Sequence, residues 1–255
     1  MTQEKAVVYA EDAGDGIRVI YLNQPQKKNA ISAPMMDLLA DLLRAADADD
    51  EVRVMVLRGV GENFSSGGDL NQGDGSAPTP EQARKTLRRY LAAVRAIRSI
   101  AKPVIAMVDG YAVGGAFALV LASDLVCASD RAQFVPAFCQ IGIIPEMGMM
   151  KMLPELVGAQ RAKELLFIGG KIPAAQMQEW GLVNRLFAAD ELEGATLDFA
   201  RQLSAMPDAS IQITKTMLNA LADETLGACL EAESTASPFC TTTTAYAKTM
   251  ERFAK

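Results

Sequence analysis

Histidine is absent from this chain of 255 residues, and its absence removes whole classes of chemistry. A serine or cysteine nucleophile activated by histidine is excluded, as are histidine-ligated zinc and a histidine general base. Proton transfer must therefore rely on aspartate, glutamate, lysine, tyrosine or cysteine side chains.

The chain also has fewer basic than acidic residues. The 25 lysines and arginines are outnumbered by 31 aspartates and glutamates, which gives a net charge of −6. Nucleic acids and anionic membranes are bound nonspecifically by surfaces with excess positive charge, so neither is an expected partner. The first residues contain no apolar signal-peptide segment, and the longest apolar stretch, at 111–122, is too short to cross a bilayer. We therefore predict a cytoplasmic protein.

Paired cysteines are lacking as well. The four cysteines are Cys127, Cys139, Cys229 and Cys240, and no two of them are spaced as Cys-x-x-Cys. This spacing argues against a redox motif and against a four-cysteine zinc site. The cysteines are therefore expected to be small core residues.

The apolar patterning predicts an α/β core over residues 1–190 and a helical region over residues 191–255. A hairpin is expected at 6–23, and a single helical segment is expected at 145–167. The predicted helix from Thr79 to Ser99 carries six basic side chains. These side chains are typical of a solvated helix face, and the alternative is a patch for an anionic ligand such as a nucleotide phosphate.

Two glycine-containing loops each follow a predicted buried strand. One contains Gly67, Gly68 and Asp69, and the other contains Gly114 and Gly115. Neither loop matches the dinucleotide or P-loop pattern. If one backbone N–H from each loop converged, the pair would stabilise the oxygen of an enolate or a tetrahedral intermediate.

The order of the motifs resembles the crotonase (enoyl-CoA hydratase/isomerase) superfamily across about residues 5 to 253. The motifs that carry this resemblance are Asn23-Gln-Pro25 with Asn29-Ala30, Phe64 to Leu70, Lys102 to Gly115, Asp124-Leu-Val, Ala132-Gln-Phe134 and Gly142-Ile-Ile-Pro145. The resemblance implies an α/β spiral of ββα units followed by a helical trimerisation region. It also implies an acyl-CoA thioester substrate, with the backbone N–H groups of Gly68 and Gly115 holding the thioester oxygen.

The same resemblance implies that coenzyme A is part of the substrate, that no other cofactor is needed, and that the protein is a homotrimer or a dimer of trimers. The family positions that meet the CoA adenine and phosphates correspond to Lys28, Asn29 and Ala30. A C-terminal contact to CoA corresponds to Phe253 and Lys255. We assign further residues to the substrate-binding surface: Ser66, Asp69, Leu70, Phe138 and Pro145. For Asp69 we expect mainly a structural role in the loop.

The sequence departs from the hydratases at both of their glutamates. The corresponding residues are Ala118 and Phe138, which can neither position water nor transfer a proton. A single carboxylate, Glu146, follows the Gly-x-x-Pro segment, as it does in Δ3,Δ2-enoyl-CoA isomerases of the peroxisomal type. We therefore expect Glu146 to be a catalytic base, although a residue of the first helical turn after Pro145 is the structural alternative.

Two other functions remain open at this point. One is a different crotonase reaction on a specialised acyl-CoA, such as ring isomerisation, decarboxylation or thioester hydrolysis. Dehalogenase-like members rely on histidine, which this chain lacks. The other is a noncatalytic acyl-CoA-binding homologue, which the loss of both hydratase glutamates would explain.

Overall fold

The computed structural model of the protein describes residues 6–69 and 79–222, together with residues 243, 244 and 248. The strands are β1 (Val8–Asp12), β2 (Ile17–Leu22), β3 (Val54–Gly59), β4 (Val104–Val108), β5 (Tyr111–Val113), β6 (Leu125–Ser129), β7 (Gln133–Val135), β8 (Ile172–Pro173) and β9 (Arg185–Phe187). The helices are α1 (Ala33–Ala48), α2 (Pro80–Ser99), α3 (Gly115–Ala122), α4 (Met149–Val157), α5 (Ala159–Ile168), α6 (Ala174–Glu179), α7 (Leu192–Ser204) and α8 (Asp208–Ala220).

The larger sheet has six strands in the order β1-β2-β3-β4-β6-β9. The hairpin of β1 and β2 is antiparallel, as predicted, and the other neighbouring pairs are parallel. Successive side chains of a strand point to opposite faces, and both faces of this sheet are apolar. On β3, for example, Met55 and Leu57 pack with the helices α1 to α3, while Val54 and Val56 face α7.

The chain forms the spiral of ββα units that the sequence led us to expect. Strand β4 of the large sheet leads into β5 and then α3, and β6 leads into β7 in the same way. Strands β5, β7 and β8 form a second, smaller sheet. Two isolated parallel bridges, Ile31 with Gly68 and Ser65 with Ala112, extend the same stacking to the earlier turns of the spiral. Each turn therefore ends in a short extended segment just before a helix.

One predicted helix is wrong. Residues 145–148 are not helical, and the remainder of the expected segment 145–167 is divided into α4 and α5 at Gly158. Gly148 and Gly158 both have a φ of +82°, which a helix cannot accommodate and which glycine adopts without penalty. Glu146 consequently lies in a loop before α4 rather than in the first turn of a helix.

The helical region begins on the sheet itself. Helix α7 buries Leu192 and Ala200 against one face of the large sheet, the face on which Val54 and Val56 of β3 lie. Helix α8 is anchored by Lys215, whose Nζ lies 2.7 Å from Asp124 Oδ2 and donates to the Lys102 carbonyl at 2.9 Å. The division of the chain at residue 190 and the role of residues 191–255 in trimerisation stay predictions. None of the helices described is long and apolar enough to span a bilayer.

Candidate active site

A cavity of about 250 Å³ lies where the short extended segments meet the helices. Gly68, Gly115 and Glu146, the three residues predicted to be catalytic, all line it. The rest of its wall is mainly apolar and comes from the loop after β3, the start of α3 and the segment 137–147. The fold thus gathers residues that are 78 positions apart in the sequence around one small space.

The backbone of Gly68 is oriented by its neighbour Ile31. The Ile31 N–H donates to the Gly67 carbonyl and the Asp69 N–H donates to the Ile31 carbonyl, both at 2.8 Å. In a parallel bridge these two bonds flank the intervening residue, so the N–H of Gly68 points away from Ile31. Within residues 6–69 and 79–222 this N–H has no acceptor. It is a donor available to a ligand in the cavity.

Gly115 is the first residue of α3, and its N–H has no acceptor in the described part of the chain. The first N–H groups of a helix have no partner within it, and the helix dipole favours negative charge at this end. Gly114 has a φ of +52°, and its own N–H is held by the Val135 carbonyl at 2.8 Å. A side chain at Gly115 would place its Cβ 2.8 Å from Met147 Sδ and 3.1 Å from Ile31 Cδ1. A side chain at this position would therefore require Met147 and Ile31 to shift.

The loop that carries Gly68 is fastened to the segment before α1. Ser66 donates from its N–H to the Lys28 carbonyl at 2.8 Å and from its hydroxyl to the Lys27 carbonyl at 3.1 Å. Asp69 forms an ion pair with Lys27, with Nζ and Oδ2 2.9 Å apart. The predicted structural role of Asp69 fits this contact. Ser66 and Asp69 also line the cavity, which keeps them candidates for contact with substrate.

Glu146 lines the cavity from a non-helical stretch and follows Pro145. Its side chain is half-buried, and burial raises the pKa of its carboxyl above the ordinary value. Among the described residues no cation or hydrogen-bond donor holds this carboxylate. Because a desolvated carboxylate is a stronger base than a solvated one, this environment suits proton removal.

The turn after Glu146 has an unusual backbone. Met147 has a φ of +56° and Gly148 has a φ of +82°, so two successive residues are left-handed. A left-handed methionine is strained, and such strain persists where the surrounding packing imposes it. Met147 is buried and its sulfur packs beside Gly115. The turn therefore couples the position of Glu146 to that of the Gly115 N–H.

The two positions that carry glutamates in hydratases are apolar here in structure as well as in sequence. Ala118 is completely buried in α3. Phe138 is 6% exposed and lines the cavity, with its ring beside Gly114. Neither position offers water a polar partner.

Tyr90 of α2 is a site residue that we did not predict. Its position in an apolar helical stripe suggested ordinary packing, yet it lines the cavity. Its hydroxyl donates to the Ile31 carbonyl at 3.1 Å, the same oxygen that accepts from Asp69 N–H. Burial raises the Tyr90 pKa, and the charges of Asp69 and Glu146 add to the effect. The sequence signal for this role was the hydroxyl itself, because a tyrosine hydroxyl within an apolar helical stripe needs a polar partner.

The remaining residues that were predicted to bind substrate differ in their exposure to solvent. Lys28 is exposed, and Ala30 and Pro145 are buried. Asn29 is fully buried, and its amide donates to the Val60 and Asn63 carbonyls and accepts from Gln24 N–H. Only the Asn29 backbone is left for the predicted contact with substrate. The remaining three predicted contacts lie outside the described residues: Leu70, Phe253 and Lys255.

Comparison with known proteins identifies the family. Residues 12–255 match the enoyl-CoA hydratase/isomerase family model. The chain belongs to the enoyl-CoA hydratase/isomerase family. The family accounts for the spiral fold and makes an acyl-CoA thioester the consistent substrate.

Relatives within the family differ in the reactions for which they are named. The chain is 33% identical to the 1,2-epoxyphenylacetyl-CoA isomerase of Escherichia coli (strain K12), over 86% of this chain and 84% of that protein. It is 35% identical to a 4-chlorobenzoyl coenzyme A dehalogenase of Arthrobacter sp., over 86% and 80%. The crystal structure of an enoyl-CoA hydratase from Bacillus anthracis superposes with a TM-score of 0.92 at 26% identity, covering 98% and 96%. The family is thus established, whereas the reaction must be argued from the site.

Proposed function

We propose that this enzyme is an acyl-CoA isomerase that moves the double bond of a 3-enoyl-CoA to the trans-2 position. The observation that carries the proposal is the composition of the cavity. It contains two backbone donors, Gly68 and Gly115, and one carboxylate, Glu146, none of which has a hydrogen-bond partner among the described residues. The other carboxylate in the wall, Asp69, is engaged with Lys27.

In the proposed reaction the thioester oxygen accepts hydrogen bonds from the two glycine N–H groups. The Glu146 carboxylate removes a proton from carbon 2, and the electron pair of that C–H bond becomes delocalised over a dienolate that ends on the thioester oxygen. Preorganised donors stabilise this oxygen because its negative charge develops during the reaction. Glu146 then returns the proton to carbon 4, which restores the thioester carbonyl and leaves the double bond between carbons 2 and 3.

The apolar side chains beside the donors favour isomerisation over hydration. Adding water to an enoyl-CoA needs groups that hold the water and transfer its protons. Ala118 and Phe138 offer none, and the Phe138 ring fills part of the wall. A single carboxylate is sufficient when the proton leaves and returns on the same face.

A second candidate reaction is isomerisation of an epoxide-bearing aromatic acyl-CoA. The similarity to the 1,2-epoxyphenylacetyl-CoA isomerase favours it, as do the aromatic residues Phe138 and Tyr90 in the cavity wall. In that reaction the two glycine N–H groups would bind the thioester oxygen, and Glu146 would act on the ring. A noncatalytic acyl-CoA-binding protein is less well supported, because the cavity retains a basic carboxylate.

The test is to incubate the purified protein separately with 3-hexenoyl-CoA, 2-hexenoyl-CoA and 1,2-epoxyphenylacetyl-CoA, and to identify products by retention and mass. Conversion of the 3-enoyl to the 2-enoyl compound without added water would support the proposal. Addition of water to either hexenoyl compound would overturn it. Turnover of the epoxide alone would establish the second candidate instead.

The proposed chemistry needs no cofactor beyond the coenzyme A of the substrate. The resemblance to the family also leads us to propose a homotrimer or a dimer of trimers, and from the sequence analysis we propose a cytoplasmic location.

A further inference from the structure

Helix α2 carries a strip of basic side chains that the proposed reaction does not use. Six of its residues are basic, and its single acidic residue, Glu81, lies in the first turn. With 3.6 residues per turn, three of the arginines fall within about 40° of one another around the helix axis. These three are Arg84, Arg88 and Arg95, and we call them the arginine stripe. The stripe runs for about 16 Å along the side of the helix that faces away from its buried residues.

The charge of the arginine stripe is left uncompensated by the described part of the chain. All three of its residues are exposed. None of them forms an ion pair with a carboxylate among residues 6–69 and 79–222. Arg89, on the flank of the same helix, is by contrast paired with Asp37 of α1 at 2.6 Å. The stripe is therefore a positive surface on a protein whose net charge is −6.

The spacing of the basic residues works against the helix that carries them. Arg84 and Arg88 are four positions apart, and so are Lys85 and Arg89. Like charges at this spacing lie next to each other on a helix surface and destabilise it. Proteins depart from such local rules of stability mainly at functional surfaces. The pattern therefore favours a binding role over a solvated face.

The same helix also forms part of the active-site wall. Tyr90 lines the cavity from the side of α2 roughly opposite the arginine stripe, two positions after Arg88. A helix with its side chains is about 10–12 Å across, so about one helix diameter separates the stripe from the cavity. A partner bound to the stripe would lie beside the active site.

We propose that the arginine stripe docks an acidic carrier protein that presents the acyl group as the thioester of a phosphopantetheine arm. The inference rests on the proposed function, because the carrier would deliver to the cavity the same thioester that coenzyme A delivers. Guanidinium groups suit this contact, since they bind carboxylates through two parallel hydrogen bonds. Complementary charges of this kind steer the encounter of two proteins and fix their register.

Nucleic acids and anionic membranes fit the stripe less well than an acidic protein does. Both extend far beyond 16 Å, so the net charge of −6 on the chain would oppose their approach. A membrane also requires apolar side chains beside the cations. Leu87 is the only large apolar residue at 79–89, and it is partly buried.

A comparison of two thioesters provides the test. Steady-state kinetics would be measured with 3-hexenoyl-CoA and with a 3-hexenoyl group on a bacterial acyl carrier protein, using the wild type, Arg84→Glu, Arg88→Glu and Arg95→Glu. We expect each variant to lower kcat/KM for the carrier substrate by about 3- to 10-fold and to change kcat/KM for 3-hexenoyl-CoA by less than about 2-fold. Raising NaCl from about 50 to about 300 mM should slow the wild type on the carrier substrate more than it slows the variants.

Two control variants separate charge from other effects. Arg88→Lys keeps the charge and should retain most of the activity on the carrier substrate. Lys163→Glu reverses a charge at an exposed position on α5 and should leave both substrates unaffected.

Three results would overturn the inference. The first is an equal loss with both thioesters, which would assign the stripe to coenzyme A or to stability. The second is an unchanged kcat/KM for the carrier substrate in all three variants. The third is binding of the wild type to phosphatidylglycerol vesicles and not to the carrier. If calorimetry shows that the carrier binds the wild type more tightly than the variants while neither thioester is isomerised, only the proposed function fails.

Discussion

The two sides of the cavity are built in contrasting ways. The donor side, residues 65–69 with the start of α3, is bonded to distant parts of the chain, including Lys28, Ile31 and Tyr111. On the carboxylate side, residues 137–148, the described backbone hydrogen bonds join residues of the same segment or its immediate neighbours. Its isoleucines are exposed: Ile141 by 52%, Ile143 by 42% and Ile144 by 66%.

The difference separates what the family shares from what an individual member does. Stabilising a thioester enolate needs donors fixed to within fractions of an ångström, and the donor side has the long-range bonds that provide this. The carboxylate side places one glutamate and one phenylalanine through a local loop. Changing a locally bonded loop disturbs the remaining fold little, so this side is where the reaction can vary.

The largest effect should follow from removing the base. We expect Glu146→Gln to lower the rate of 3-hexenoyl-CoA isomerisation by about 100- to 10,000-fold, since the amide cannot accept the proton. Coenzyme A binding should remain, because the donor side is untouched. Steady-state kinetics and calorimetry measure the two quantities. The matched control is Glu155→Gln on α4, whose partner Lys151 is also exposed, and loss of activity in this control would contradict the assignment.

The two glycines of the donor side should respond unequally to alanine. At Gly115 the new Cβ would meet Met147 and Ile31, whereas at Gly68 no atom of residues 6–69 and 79–222 beyond the chain neighbours lies within 4 Å of it. We therefore expect Gly115→Ala to lower kcat by about 10- to 100-fold through displacement of the donor and of Met147. Gly68→Ala should change kcat by no more than about 3-fold. Equal losses in the two variants would show that the contact with Met147 does not matter.

A smaller effect is expected from the hydroxyl that braces the donor side. Tyr90→Phe removes the hydrogen bond to the Ile31 carbonyl and keeps the ring in the wall. One such bond contributes about 0.5–1.5 kcal/mol, so kcat should fall by about 2- to 12-fold with KM nearly unchanged. Tyr21→Phe on β2, outside the cavity, is the control. A rise in KM alone would assign Tyr90 to binding of the acyl group instead.

The smallest effect concerns pH. Burial raises the Glu146 pKa above the ordinary glutamate value of 4.5, so the activity should decline on acidification at a higher pH than for a solvated glutamate. The folded protein also holds the Glu146 proton more tightly than the unfolded chain does. Wild-type stability relative to Glu146→Gln should therefore fall as the pH rises through the raised pKa. Thermal melts of both proteins from pH 4 to pH 8 measure this, and a gap in the opposite direction would contradict the burial of Glu146.

Local patterns predicted much of the fold. The helices α1 and α2 begin after Ser32 and Thr79, residue types that favour helix N-caps, and the cap at Thr79 is a complete capping box. The failure at 145–148 has a physical reason, because Gly148 adopts a positive φ that apolar periodicity does not register. The short strands β5 and β8 were also missed, since two or three residues carry too little pattern to identify a strand.

Site residues whose role depends on residue type could be predicted from the sequence. Site residues whose role depends on a tertiary contact could not. Two glycine pairs and Glu146 stand out in the sequence, and all five residues line the cavity. Nothing local reveals that Tyr90 reaches the Ile31 carbonyl across 59 positions. Such contacts are created by the turns of the spiral.

The central claim is that two backbone donors and Glu146 suffice to move a proton at an acyl-CoA. The most direct measurement is the transfer of deuterium from carbon 2 to carbon 4 of 3-hexenoyl-CoA that is labelled with deuterium at carbon 2, followed by NMR with the wild-type protein and with Glu146→Gln. We predict that the wild-type product carries deuterium at carbon 4 and that product formation is almost completely lost in the variant. Transfer by Glu146→Gln at the wild-type rate would show that another group is the base.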